Sequence, residues 1–271
     1  MQTHFTETEA NTFRKIDLHM HTVFCDGANT PEEMVAEAVS RGMEAVGVCV
    51  HAHTPFDERY CASPEGIREF LAEMRRLKNA YRGRIRVFIG IEHDQYADTE
   101  LAEFDYVIAS KHYLKLSGAY YPIDDSEEDF RMILDQLDGD FVRLAELYYE
   151  GLAESVLSAK TDIVGHLDLI TKFNENGKLF DENDPRYLKP AFTLIDRLLP
   201  AGVVFEINTG AIARGCRTTP YPSQPLRKYI REHGGTLILS SDAHRKEDLM
   251  HGFEALSALA DRDGYRFLDK R

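Results

Sequence analysis

Seven short runs of β-branched and apolar residues recur along the chain, separated by stretches that carry helix signals. The runs are Ile16 to Met20, Ala45 to Val50, Arg86 to Ile91, Tyr106 to Ser110, Asp162 to Gly165, Val203 to Ile207 and Thr236 to Leu239. Such alternation is the pattern of parallel α/β folds, in which each strand needs a helical crossover to reach the next. Thr30-Pro31-Glu32-Glu33 offers an N-cap, a first-turn proline and a capping-box Glu ahead of Met34, Val35 and Ala38. Ser63-Pro64-Glu65 opens a second helix in the same way. A helical region from Ser126 to Lys160 is predicted to break near Asp138-Gly139-Asp140. A helix over Ser223 to His233 stops at Gly234-Gly235, and a last helical segment follows Arg245. There is no repeat, low-complexity tract or linker. Seven strand–helix units in 271 residues therefore predict one closed α/β barrel domain, with residues 1–14 as a polar N-terminal extension.

A barrel places its chemistry at the C-terminal ends of its strands. The first run passes through Asp17, His19 and His21, expected on one face by strand alternation, and a turn at Cys25-Asp26-Gly27 follows. The second runs into His51, the third into Glu92, the fourth is closely followed by His112, and the fifth runs into His166. The seventh runs into Asp242 and His244, whereas the sixth ends in the neutral Asn208. A single His after a strand is often a core or capping residue, and a carboxylate there is often a helix cap. His or a carboxylate at six of seven ends is a different matter. Six His, two Asp and one Glu exceed the needs of one ion, and burying them without a cation would be costly. An N/O donor set without thiolate suits zinc, manganese or iron.

Charge narrows the partners. With 46 acidic against 32 basic residues, the net charge of −14 disfavours duplex nucleic acid, whose binding needs basic side chains. A small phosphate ester is still compatible, since three divalent ions among three carboxylates would make the site about +3. No apolar run reaches the eighteen or so residues of a membrane span. No secretory h-region precedes Arg14, and the four cysteines form no Cys-x-x-Cys pair. A cytosolic chain with reduced thiols is expected. The oligomeric state is left open.

These motifs resemble those of the PHP (polymerase and histidinol phosphatase) superfamily. The resemblance rests on Asp17-Leu18-His19-Met20-His21-Thr22, Cys25-Asp26-Gly27, Gly90-Ile91-Glu92, Ser110-Lys111-His112, Gly165-His166 and Ser241-Asp242-Ala243-His244. The segments His51 to Glu58, Gly165 to Ile170 with Lys172-Phe173-Asn174, and Glu206 to Gly210 are similar to the histidinol-phosphatase branch. Val50 departs from the acidic or small residue usual before this histidine. The resemblance implies a distorted (β/α)7 barrel with up to three metals. It also implies a ligand partition: His19, His21, Glu92 and Asp242 for one ion, Glu92, His112 and His244 for a second, Asp26, His51 and His166 for a third.

The implied activity is hydrolysis of L-histidinol phosphate, by in-line attack of a metal-bridging hydroxide on phosphorus. Glu92, Asp242 and His244 are the expected catalytic residues, and Arg214 and Arg217, after the sixth strand, the expected phosphate ligands. His51 is taken as the second-strand ligand because it directly ends the apolar run, leaving His53 as a substrate contact. Asp168 is a candidate to orient His166, and the acidic run Asp124 to Asp129 reads as a helix start. Rival readings are a PHP phosphoesterase for a nucleotide or sugar phosphate, a metal-dependent amidohydrolase, and a non-catalytic metal-binding module.

Overall fold

The computed structural model describes residues 14–270, so the polar segment before Arg14 lies outside the described residues. In chain order the elements begin with β1 (Ile16–Asp17), α1 (Pro31–Ser40), β2 (Ala45–His51), α2 (Pro64–Ala80), β3 (Arg86–Asp94) and β4 (Tyr106–Ser110). A hairpin of β5 (Tyr113–Leu116) and β6 (Ala119–Pro122) follows, then α3 (Glu127–Gln136), α4 (Phe141–Ser158), β7 (Ile163–Val164) and α5 (Pro185–Leu198). The chain continues through β8 (Val204–Asn208), α6 (Gly210–Ala213), α7 (Gln224–Glu232) and β9 (Thr236–Ser240). Seven strands form one sheet in the order β1-β2-β3-β4-β7-β8-β9, every pairing parallel. The ring nearly closes. Beyond β1, Met20 bridges Ala243 just past β9, and the His21 N–H donates to the Ala243 carbonyl at 2.8 Å.

Helices cover the outside. Met34, Val35 and Ala38 of α1 and Phe70, Leu71 and Met74 of α2 pack on the outward side chains of β2 and β3. On the other side α4, α5 and α7 cover β4, β7, β8 and β9. Thr30 caps α1 in the expected capping box, Ser63 caps α2, and Asp140 caps α4 after the predicted break.

Strand alternation sets the interior. Ala45, Cys49, Phe88, Tyr106, Ile108, Val204 and Ile238 fill its lower part. Continuing on the same faces toward the C-terminal ends come His51, Glu92, Ser110, Glu206, Asn208 and Ser240, all buried. The barrel thus turns from apolar to polar along its own axis. Tyr106 plugs the apolar part, and Gly47 and Gly90 make room, since a Cβ on either would strike its ring. Among the described residues no helix is long and apolar enough to cross a membrane.

Three features differ from the sequence-based expectation. First, β1 ends at Asp17: Leu18 joins the interior with Ile16, while the buried Asp17 accepts the N–H groups of Ser241 and Met250, each at 3.1 Å. The expected common face of Asp17, His19 and His21 is therefore lost, and Asp17 is a latch between the first strand and the loop after β9. Second, the β5–β6 hairpin turns on Ser117 and Gly118 at φ 50° and 88°, the two-residue turn that needs positive φ. Third, α5 starts at the Asp184 cap with Pro185 in its first turn and buries Tyr187, Ala191, Leu194 and Leu198; Pro190 within it masks the helical pattern in sequence.

Candidate metal centre

Three groups of ligand-type side chains meet at the C-terminal mouth. They are His19, His21 and Asp242; Glu92, His112 and His166; and His21, Asp26, His51 and His244, the donor atoms in each lying within 4.8 Å of one another. All nine residues singled out for metal chemistry stand in these groups. Glu92 is central: Oε2 is 3.1 Å from His19 Nε2, His21 Nε2 and His51 Nδ1, and Oε1 is 2.9 Å from His166 Nε2. Asp26 reaches His244 Nε2 at 3.1 Å and His51 Nε2 at 3.5 Å. Relative to the partition implied by the family, His244 and His166 exchange places. Topology sets the exchange. His112 and His166 follow the hydrogen-bonded neighbours β4 and β7, and His244 stands beside His21 across the closure.

The donors fit cations. His19 Nε2 and His21 Nε2 are 3.1 Å apart, close to the spacing of roughly 3.0–3.4 Å that two imidazoles sharing one ion at about 2.1 Å would show. His19 Nδ1 donates to Glu206 at 3.0 Å, which turns the Nε2 lone pair into the cluster, as in carboxylate–histidine–metal triads. Burial lowers His21, and burial together with His21 pushes His51 down to about 3, so both favour the neutral form that ligates. Against burial, Glu92 and Asp94 lift His112 to about 10, so a cation here must displace a proton. Burial also works against ionising Glu92 and Asp242. Even so, His19 beside the first and the Arg214 guanidinium beside the second hold both well below the usual carboxylate range.

Around the cluster lies a cavity of about 410 Å³. Arg214 lines it, with Nη2 3.0 Å from Asp242 Oδ2 and Nη1 3.2 Å from His244 Nδ1. Asp242 holds its place at φ 50°, and the bare Gly210 lets it pack, since a Cβ there would come within 2.8 Å of both Asp242 Oδ2 and Arg214 Nη2.

Three expectations are corrected. Arg217 turns away from the mouth: its Nη1 donates to Glu182 at 2.8 Å and its Nε lies 3.3 Å from Glu175. His53 is held between Asp98 at 2.8 Å and Glu58 at 3.2 Å and does not line the cavity. Asp168 accepts the Ser223 N–H at 2.8 Å, while His166 Nδ1 has no partner. Of the acidic run, the residues from Glu127 do begin α3, but Asp124 and Asp125 line the cavity, and Lys172 donates to Asp124.

Sequence reasoning passed over Glu206, Asp94, Tyr60 and Tyr113. The first two had a signal. Each is a carboxylate on the interior parity of an apolar strand, and Asp94 Oδ2 accepts the His112 N–H at 2.6 Å.

The PHP domain model matches residues 17–210. The "Probable histidinol-phosphatase" of Deinococcus radiodurans is 30% identical over 262 residues, covering 92% of this chain and 94% of its own. The Bacillus subtilis histidinol-phosphatase is 26% identical over 267 residues, covering 89% and 98%. In structure, a Listeria monocytogenes protein superposes with a TM-score of 0.77 at 21% identity over 89% of this chain and 99% of its own. The Lactococcus lactis histidinol phosphate phosphatase, solved with zinc, L-histidinol and phosphate, gives 0.61 at 18% over 92% and 94%. The distorted seven-stranded barrel is common ground with these structures, and a match over residues 17–210, well beyond half the chain, places this protein in the PHP family.

Proposed function

We propose that the chain is a metal-dependent phosphomonoesterase that hydrolyses L-histidinol phosphate to L-histidinol and phosphate. One observation carries the reading: side chains from six strand ends converge on Glu92 in three cation-sized groups, with Arg214 at their edge. The names of the relatives from Deinococcus radiodurans and Bacillus subtilis supply the substrate.

Zinc, manganese or iron, up to three ions, would be held by His19, His21, Asp26, His51, Glu92, His112, His166, Asp242 and His244, and would supply Lewis acidity toward water and the phosphoryl oxygens. The chain's own groups do the rest. Glu92 and Asp242, kept ionised, fix the geometry of the donors and can accept a hydrogen bond from the attacking water and so orient it. Glu206 locks the tautomer of His19, and Asp94 locks the backbone that carries His112. Arg214 faces the cavity with a planar fork suited to the non-bridging oxygens of a phosphate. Tyr60, Tyr113 and Pro122 form a wall on which the imidazole end of the substrate can lie.

The test is phosphate release from L-histidinol phosphate beside a panel of nucleotide and sugar phosphates, with and without chelator. Chelator-sensitive release is expected, fastest on histidinol phosphate, with Asp242→Asn and His112→Ala inactive yet folded. A faster rate on another ester would keep the chemistry and change the substrate. Near-normal rates in both variants would overturn the assigned roles.

A further inference from the structure

The mouth is not the only large hollow. A groove of about 740 Å³ lies on the outer wall between the β5–β6 hairpin, α4 and α5, and it shares no lining residue with the mouth. The wall between the two is a single stretch of chain. His112 and Tyr113 line the mouth, whereas Lys111, Leu114 and Lys115 line the groove.

The groove is basic in an acidic protein. Lys111 is only 2% exposed; its ammonium donates to the Gln95 side chain and lies 5.4 Å from the centre of the Tyr96 ring, and no described carboxylate forms an ion pair with it. Room for it comes from Gly151, in the middle of α4, where a Cβ would strike the Lys111 Nζ. Glycine in a helix interior is less favourable than alanine, so the ammonium is accommodated at the expense of the helix. Lys115 on the hairpin lies 4.8 Å from the centre of the Tyr120 ring, and neither it nor Lys189 on α5 is ion-paired among the described residues. The groove's carboxylates are already engaged: Glu146 by Arg143, Glu150 by Arg197 and Glu154 by Gln95. Three ammonium groups thus line one hollow with no direct ion pair to any of them among the described residues, Asp94 and Glu154 acting on Lys111 only through space, in a chain of net charge −14. Between them the part-exposed Tyr96, Val142, Leu147 and Pro190 offer apolar surface. The volume falls in the range of small-molecule sites, roughly 300–1,000 Å³.

We propose that this groove is a second binding site, for a small organic anion with a flat apolar body, an aromatic carboxylate in class. Its charge seats on Lys111, with Lys115 and Lys189 reaching over it, and its body lies against Tyr96 and Leu147. Because Lys111 and His112 are consecutive, the site is built to sense, or to shift, the wall of the metal centre.

The probe is 8-anilinonaphthalene-1-sulfonate, an aromatic monoanion, titrated into the metal-loaded full chain and followed by fluorescence, with sedimentation on the same samples. Saturable binding at one site is expected. Lys111→Met, and separately the paired surface variant Lys115→Glu with Lys189→Glu, should each weaken it roughly tenfold. Arg214→Met should leave it unchanged. The surface pair keeps the test decisive if Lys111→Met fails to fold. Binding that ignores the lysine variants, or that is lost in Arg214→Met, would overturn the proposal, the latter by putting the probe in the mouth. A wild-type dimer that binds no probe and falls to monomers in the surface variant would also overturn it, by giving the groove to a second copy of the chain.

Discussion

Arg214 and Arg217 leave the same loop three residues apart and meet opposite surroundings. Arg214 touches Asp242 and His244 at the edge of the mouth, and Arg217 is drawn into Glu182 and Glu175 beneath the surface. The first is therefore expected to act on turnover and the second on stability. Arg214→Met should lower kcat/KM by about a hundredfold or more, the usual loss for one charge-stabilising donor, with little change in the denaturation midpoint of the metal-loaded protein, in which cations would still face Asp242. Arg217→Met leaves the part-buried Glu182 with only the Asn174 amide as partner, and should cost on the order of 2 kcal/mol in urea unfolding while the folded enzyme keeps a near-normal kcat/KM. Equal activity losses in the two variants would show that both guanidiniums serve the phosphate. Nothing in the loop sequence separates the two arginines, because their partners Asp242, Glu175 and Glu182 come from other parts of the chain. The nine ligand-type residues were legible for the opposite reason. Each stands at or soon after the end of its own apolar run or, like Asp26, in the turn that follows, where topology alone directs it to the mouth.

Among the elements, the seven barrel strands could be read because parallel strands buried on both faces appear as nearly continuous apolar runs. The β5–β6 hairpin could not. Its strands are four residues each, β6 is largely part-exposed, and Ser117-Gly118 is a weaker turn signal than Asn-Gly. Yet the hairpin matters to the site, since Tyr113 opens it, Pro122 closes it and both line the mouth. Gly118 sits at φ 88°, where a β-branched residue is strained by about 1–2 kcal/mol. Gly118→Val should speed amide exchange in the hairpin and raise KM about fivefold, with metal content and kcat nearly unchanged. An unaltered KM beside faster exchange would remove the hairpin from substrate binding.

The whole molecule brings a polar cluster together from β1 to β9 around a ring that closes through few backbone hydrogen bonds. Met20 to Ala243 is the bridge, and the Asp17 latch to Ser241 and Met250 lies beside it. The cluster spans that seam, since His19 and His21 come from one side and Asp242 and His244 from the other. Ions held there would staple the first strand to the last, and their binding free energy would add to folding stability. For one site at a thousandfold excess of free metal over its Kd, the gain is about 4 kcal/mol. At roughly 2–4 °C per kcal/mol for a chain of this size, a chelator should lower Tm by about 8 °C or more, and added metal should restore it. Glu92→Gln removes the carboxylate that contacts donors in all three groups, so in that variant the chelator should shift Tm far less. If the wild-type Tm were the same with and without chelator, the seam would be held by protein contacts alone. A chelator effect that survived in Glu92→Gln would place the stabilising ion where Glu92 does not hold it.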